Sequence, residues 1–270
     1  QIIGIPKTVD NDLYGTDHSP GFGSAARYVA LSVRDISKDL EAMRNFEQVR
    51  IIETMGRNVG WLAASSGLLK VNESDGPHKI YFPERKFSID EFLEDVKNIY
   101  NDLGCVSIVI SEGVKLDEQT VIKKGVVNGR NVLGGIAYQL SSIVKQELGI
   151  IARDEVLGMN QRCCQLLSSS QDRIEAYEVG RKGAKLVDAD ISNVMVSIQR
   201  QNLSHYDYKL GTVPLDIVVS GGERQLPSKF VKNLQHYNSW LRPLVGSDIE
   251  PFPTTILRRE NDEKNAFRLQ

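Results

Sequence analysis

Two carboxylates, Asp10 and Asp12, flank Asn11, and Lys7 stands three residues before the first of them. Phosphoryl transfer requires such a set: a carboxylate to take the proton of an attacking hydroxyl, and a cation to balance charge on the transferring group. The same spacing suits an Asx-rich turn whose side chains cap backbone groups, so the segment alone leaves both readings open. Other polar clusters are Met55-Gly56-Arg57, Glu112 between Ser111 and Gly113, and the stretch from Arg153 to Arg162. Planar guanidinium groups match phosphate oxygens in bidentate fashion, which makes the arginines candidate anion ligands. Plainer roles exist for each: a surface ion pair for Arg57, a helix cap for Glu112, core filling for Met55 and Met159.

These clusters need strands and helices to position them. The apolar run Ile2-Ile3-Gly4-Ile5 predicts a buried strand, and three-to-four spacing from Phe22 to Met43 predicts a helix over about 21–45. Strands are expected at 49–53, 79–82, 105–110, 155–159, 193–198 and 206–209. Helices are expected at 59–70, from the Ser88/Glu91 capping box through Leu103, and at 135–148, 171–186 and 228–240. Alternation of strands with helices predicts an α/β fold with a mostly parallel sheet. Ligands in such sheets bind at the carboxyl ends of the strands, where these clusters fall, so one shared cleft is expected.

Composition narrows the class. The 270 residues carry 33 Lys and Arg against 35 Asp and Glu, a net charge of −2, which advertises no nucleic-acid partner. Hydrophobic residues at 41% and charged residues at 25% are ordinary for a globular chain able to bury a core. Cys105, Cys163 and Cys164 are too few and too poorly spaced for a disulfide or zinc framework, so reduced thiols and a cytoplasmic setting are expected. No apolar run reaches the 18 or so residues of a membrane span, and no secretory leader is evident. The chain opens at Gln1 within a strand pattern, which reads as an N-terminus that lacks preceding sequence.

The segment from Gly4 to Ala25 closely resembles the phosphofructokinase motif, a strand ending in a Pro-Lys-Thr-Val-Asp-Asn-Asp turn and leading into a helix. Met55-Gly56-Arg57, Ser111-Glu112-Gly113 and Arg153 to Arg162 follow in family order, and the resemblance runs to about Gly246. It implies two mostly parallel α/β sheet domains with the active site in the cleft between them. Residues of about 1–21 and 161–211 would belong to the donor domain, and about 22–160 and 212–270 to the sugar-phosphate domain. The implied acceptor is fructose 6-phosphate, phosphorylated on its 1-hydroxyl, with Mg²⁺ as cofactor. Asp10 would take the hydroxyl proton, and Thr8 and Val9 would line the turn against the sugar. Asp12 would orient the site or hold Mg²⁺ through water. Met55, Gly56 and Arg57 would contact the sugar phosphate and the transferring group, and Glu112 the sugar hydroxyls. Arg153 and Arg162 would pair with the 6-phosphate, with Met159, Asn160 and Gln161 beside them.

Lys7 is similar to the pyrophosphate-dependent branch, where a fixed ammonium takes over the anchoring that a nucleoside gives ATP. The Cys163-Cys164 pair and the residues that follow resemble that branch too. An ATP-dependent enzyme and a silent regulatory subunit that keeps the sugar site are the alternatives. The family's metal-holding turn would lie before Gln1, so no metal ligand is assigned within the chain. Met159 stands where the family has a histidine, and Gln48 where tetrameric relatives place an arginine that reaches across an interface. Arg50 is close enough to substitute for it, and a homo-oligomer is expected. Gly221-Gly222-Glu223 reads as a tail turn.

Overall fold

The computed structural model describes residues 1–116, 123–127, 130–202 and 205–253. The short strand β1 (Ile3–Gly4) runs into the Asp10 turn, and α1 (Phe22–Met43) follows. The buried residues of α1, Phe22, Ala26, Val29, Val33 and Leu40 among them, recur at helical spacing, so this one stripe docks the helix. Every residue of β2 (Val49–Thr54) is buried, as expected of a strand covered on both faces. After it come α2 (Trp61–Ser65), which tightens into a 3-10 turn over Ser66–Leu69, then β3 (Lys79–Tyr81) and α3 (Ile89–Leu103). The Ser88 side chain accepts from the Glu91 amide, half of the expected capping box. A second fully buried strand, β4 (Val106–Ser111), leads to the β5 (Lys123–Val127) and β6 (Arg130–Leu133) hairpin. Then come α4 (Ile136–Leu148), β7 (Ala152–Val156), the single turn α5 (Asn160–Cys163) and α6 (Ser170–Asp188). The chain ends in β8 (Val194–Asn202), β9 (Asp207–Pro214), α7 (Leu215–Ser220), α8 (Ser228–Lys232) and α9 (Leu234–Val245).

The larger sheet has the order β3-β4-β2-β7 and is parallel throughout. The smaller has the order β1-β8-β9, with β1 parallel and β9 antiparallel to β8. One core lies between the larger sheet and α1, α2 and α9, around Phe22, Trp61, Phe230, Tyr237 and Trp240. Their ring centroids sit 5.1–6.2 Å apart, a geometry worth roughly 0.5–1.5 kcal/mol per pair beyond area burial. A second core packs α3 and α4 on the opposite face.

Several elements differ from expectation. The strand expected at 155–159 is β7, Ala152–Val156, three residues early, because Gly158 at φ +60 turns the chain away after Val156. As an edge strand it carries Arg153 and Glu155 to solvent, which breaks the apolar run used to locate it. The long C-terminal helix is two, separated at Asn233, whose side chain caps α9 through the amides of Gln235 and His236. The strand expected at 206–209 is the start of the longer β9, which begins one residue later at Asp207, and the β5–β6 hairpin and α7 carry no clear sequence signal. Among the described residues, no helix is long and apolar enough to cross a membrane.

Candidate active site

The carboxyl ends of β2 and β4 place two turns against each other. Gly56 has φ +148, and a Cβ there would lie 2.5 Å from the Val59 carbonyl oxygen. Arg57 follows at φ +50, its backbone amide 3.1 Å from Glu112 Oε1. The Glu112 amide in turn donates to the Thr54 carbonyl at 3.0 Å. A Cβ on Gly113 would sit 1.5 Å from the Arg57 carbonyl oxygen, so the two turns interlock only because residue 113 has no side chain. Gly113→Ala should therefore destabilise the protein by about 1–3 kcal/mol or more in chemical denaturation, as overpacking at a rigid backbone does.

Beyond β7, α5 approaches the same place. Gln161 is buried, and its Oε1 accepts from the Met55 amide at 3.0 Å while its Nε2 donates to the Gly158 carbonyl. Asn160, Met159 and Arg162 are exposed around it, so Arg162 stands at the carboxyl end of the sheet.

The Asp10 turn is held from several sides. The Asp10 amide donates to Thr8 Oγ1 at 3.1 Å, and buried Asn11 takes φ +58 with Oδ1 accepting from the Ser19 amide at 3.2 Å. The Arg224 amide donates to the Asp12 carbonyl at 2.8 Å, and Glu223 bridges Leu13 while accepting from Asn58 at 2.9 Å. Gly221-Gly222-Glu223 is a turn, as expected, with Gly222 at φ +67, but it stitches the C-terminal part to the Asp10 and Arg57 turns. Behind Lys7, the Asp172 carboxylate of α6 accepts from the amides of Gly21 and Ser24 at 2.8 and 3.0 Å and so caps α1, which has no cap of its own. A methyl group at Gly21 would lie 3.9 Å from Lys7 Cε, which places the exposed lysine beside this helix start.

Charge couples the turns. Burial, then the like charges of Asp12 and Glu112, push the Asp10 carboxyl up to about 6, against the pull of Arg57 and Lys7. Burial and the buried carboxylate of Glu53 also raise Glu112, opposed by the amides of Arg57 and Gly56. Glu53 itself accepts from the amides of Gly135 and Ala137 at the start of α4. Lys7, Asp10, Asp12, Arg57 and Glu112 thus form one electrostatic cluster.

Two expected site residues, Val9 and Arg153, have their side chains elsewhere. The Val9 side chain is in the core, 8% exposed, so only its backbone lines the turn. Arg153 pairs with Arg50 of β2 in register, about 10 Å short of the carboxyl edge, and its Nε lies 2.7 Å from Glu47 Oε2. Arg50 is buried, with Glu47, Asp39 and Glu155 of its own chain around its guanidinium. Glu53, Asp172, Glu223 and Arg224 were not among the expected residues. A glutamate inside the apolar β2 run was a usable signal for the first.

Residues 1–187 match the phosphofructokinase family, and the chain belongs to it. A sulfofructose kinase from Alkalicoccus urumqiensis is 48% identical over 255 residues, 94% of this chain and 66% of that protein. A pyrophosphate–fructose 6-phosphate 1-phosphotransferase from Rhodospirillum rubrum is 38% identical, covering 90% of this chain and 63% of its own length. The crystal structure of a pyrophosphate-dependent phosphofructokinase from Marinobacter aquaeolei superposes with TM-score 0.80 at 33% identity, over 94% of this chain and 62% of that one. The chain thus spans just under two thirds of the length of these relatives.

Proposed function

We propose that the protein moves a phosphoryl group from pyrophosphate onto the 1-hydroxyl of a fructose bearing an anionic group on C6. The position of Asp10 carries this reading: a carboxyl held near 6 beside two cations is a base poised for use near neutral pH. In the proposed step the hydroxyl oxygen bonds to phosphorus, the bond from phosphorus to the leaving phosphate breaks, and the hydroxyl proton passes to the Asp10 carboxylate. Lys7 and Arg57 face the transferring group, while Thr8, Met55, Gly56 and Glu112 frame the sugar. Gln161 holds the Met55 turn, and Met159, Asn160 and Arg162 surround the far end of the acceptor.

Among the described residues, no three potential ligands converge on a metal position. Asp10, Asp12 and Glu112 together outnumber the cations Lys7 and Arg57 in the cluster, an excess of negative charge that fits a Mg²⁺ held through water. When bound, that ion supplies charge neutralisation at the phosphoryl oxygens. The reading includes a homo-oligomer.

Fructose 6-phosphate is the acceptor that the motifs imply. A second reading, a sulfonate in place of the 6-phosphate, is favoured by the sulfofructose kinase relative and by the far end of the site. Met159 and Gln48 replace a histidine and an arginine of the family pattern, and Arg153 is turned away within this chain. One guanidinium, Arg162, suits a monoanionic sulfonate better than a phosphate dianion. Initial rates with pyrophosphate and each acceptor decide between them. The first reading expects kcat/KM at least about 10-fold higher for the phosphate, and the second expects the reverse. Turnover of neither sugar overturns both. With the better acceptor, Arg162→Ala should weaken binding by about 10- to 100-fold in calorimetry, as loss of a charge-assisted contact worth roughly 1–3 kcal/mol does. Unchanged affinity removes Arg162 from the site.

A further inference from the structure

Behind the Asp10 turn lies an ionic cluster that the proposed reaction does not use. His18 is 1% exposed; its Nδ1 is 2.9 Å from Asp17 Oδ2 and its Nε2 is 2.7 Å from Glu175 Oε2. A ring with a carboxylate at each nitrogen satisfies both only when both nitrogens carry hydrogen, that is, as imidazolium. Around it, Asp17 also accepts from Arg200 Nε and Trp240 Nε1, each at 3.2 Å. Glu175 accepts from Gln171 at 2.9 Å and from the Tyr206 hydroxyl. The Arg200 guanidinium lies 4.7 and 5.1 Å from the ring centroids of Tyr206 and Trp240, and Arg224 contributes to the local field. His18 and Arg200 balance Asp17 and Glu175, so these four directly paired groups are neutral only while His18 is protonated.

The cluster joins α6, β8, α9 and the segment that closes the Asp10 turn. Thr16 Oγ1 donates to the His18 carbonyl at 2.8 Å and accepts from the Ile198 amide at 3.0 Å. The Asp17 amide donates to the Ile198 carbonyl at 2.8 Å. The Ser19 amide then fixes Asn11, the left-handed residue between Asp10 and Asp12. We infer that His18 is a positioning residue: its imidazolium, clamped between Asp17 and Glu175, holds residues 16–19 and through Asn11 the angle of Asp10, so loss of its proton slows phosphoryl transfer. This rests on the reading of Asp10 as the base.

Burial opposes the charge on His18, but the hydrogen bonds with Asp17 and Glu175 outweigh it and raise its pKa. Burial likewise works against Asp17, which His18, Arg200 and Trp240 nevertheless hold down at about 2. A raised histidine contributes its stabilisation fully below its ordinary value, and that contribution fades as pH rises through the folded value. The clamp therefore weakens on the alkaline side.

Two measurements on the full-length protein test this. The ¹⁵N shifts of His18 should show both nitrogens protonated at pH 7, with no substrate present. Glu175→Gln, which keeps shape and removes one anion, should move the alkaline fall of kcat to lower pH. It should leave KM for the acceptor within about threefold. His18→Gln should abolish that fall and lower kcat by about 10- to 100-fold, the scale of a displaced catalytic group. A neutral imidazole at pH 7 in the parent overturns the inference even if every variant fails to fold. So does an alkaline limb that Glu175→Gln leaves in place. The nuclear magnetic resonance result does not depend on acceptor, donor or Asp10, so failure of the proposed reaction is separately visible.

Discussion

Asp10→Asn should lower kcat by roughly 10²–10⁴-fold with acceptor affinity little changed, because it preserves shape and removes the proton acceptor. In the parent, kcat should fall as pH drops below about 6, where Asp10 takes up a proton, and Asp10→Asn should lose that acidic limb. The same substitution should make the protein more stable. A carboxyl whose folded value is raised destabilises the native state once pH exceeds both its unfolded and folded values, and not below them. With Asp10 moved from 3.8 to about 6, thermal unfolding near pH 8 should show a gain of ~1–3 kcal/mol in the variant. Near-normal turnover in Asp10→Asn removes the residue from its role. A loss of both turnover and stability would assign it to structure instead.

Lys7→Gly should depress pyrophosphate-dependent turnover by about 10²-fold or more while leaving acceptor affinity nearly intact. The ammonium stands on an exposed turn beside the start of α1 and acts electrostatically on Asp10. Charge moves onto the leaving phosphate during transfer, so a fixed cation there stabilises the transition state more than the bound substrates. A solvated loop lysine predicts no more than the small entropic effect of a glycine in a turn. Steady-state rates at saturating acceptor separate the two.

Much of the scaffold was legible because its strongest signals are physical. β2 and β4 are buried on both faces, β4 lies in a continuous β-rich run and β2 holds an Ile-Ile centre, and the stripe on α1 repeats at helical spacing. The polar clusters that follow β1, β2, β4 and β7 fall at sheet ends, where the topology gathers them. What periodicity could not supply was register. Arg153 lies nine residues before Arg162 in the chain, but one is inside an edge strand and the other beyond its end, so they face different places. Nor could it supply partners distant in sequence. Asp172 caps α1 from 148 residues away, and Glu223 reaches Asn58 from 165. Val9 shows a third limit: a residue in a functional motif can serve the core with its side chain and the site only with its backbone.

Phosphorus nuclear magnetic resonance on the full-length protein, with Mg²⁺, acceptor and either pyrophosphate or ATP, tests the central claim most directly. The account predicts that pyrophosphate disappears as one orthophosphate and one sugar 1-phosphate ester appear per turnover. It also predicts that ATP supports transfer at least about 10-fold more slowly. Equal or faster transfer from ATP, or orthophosphate release without a sugar ester, would contradict it.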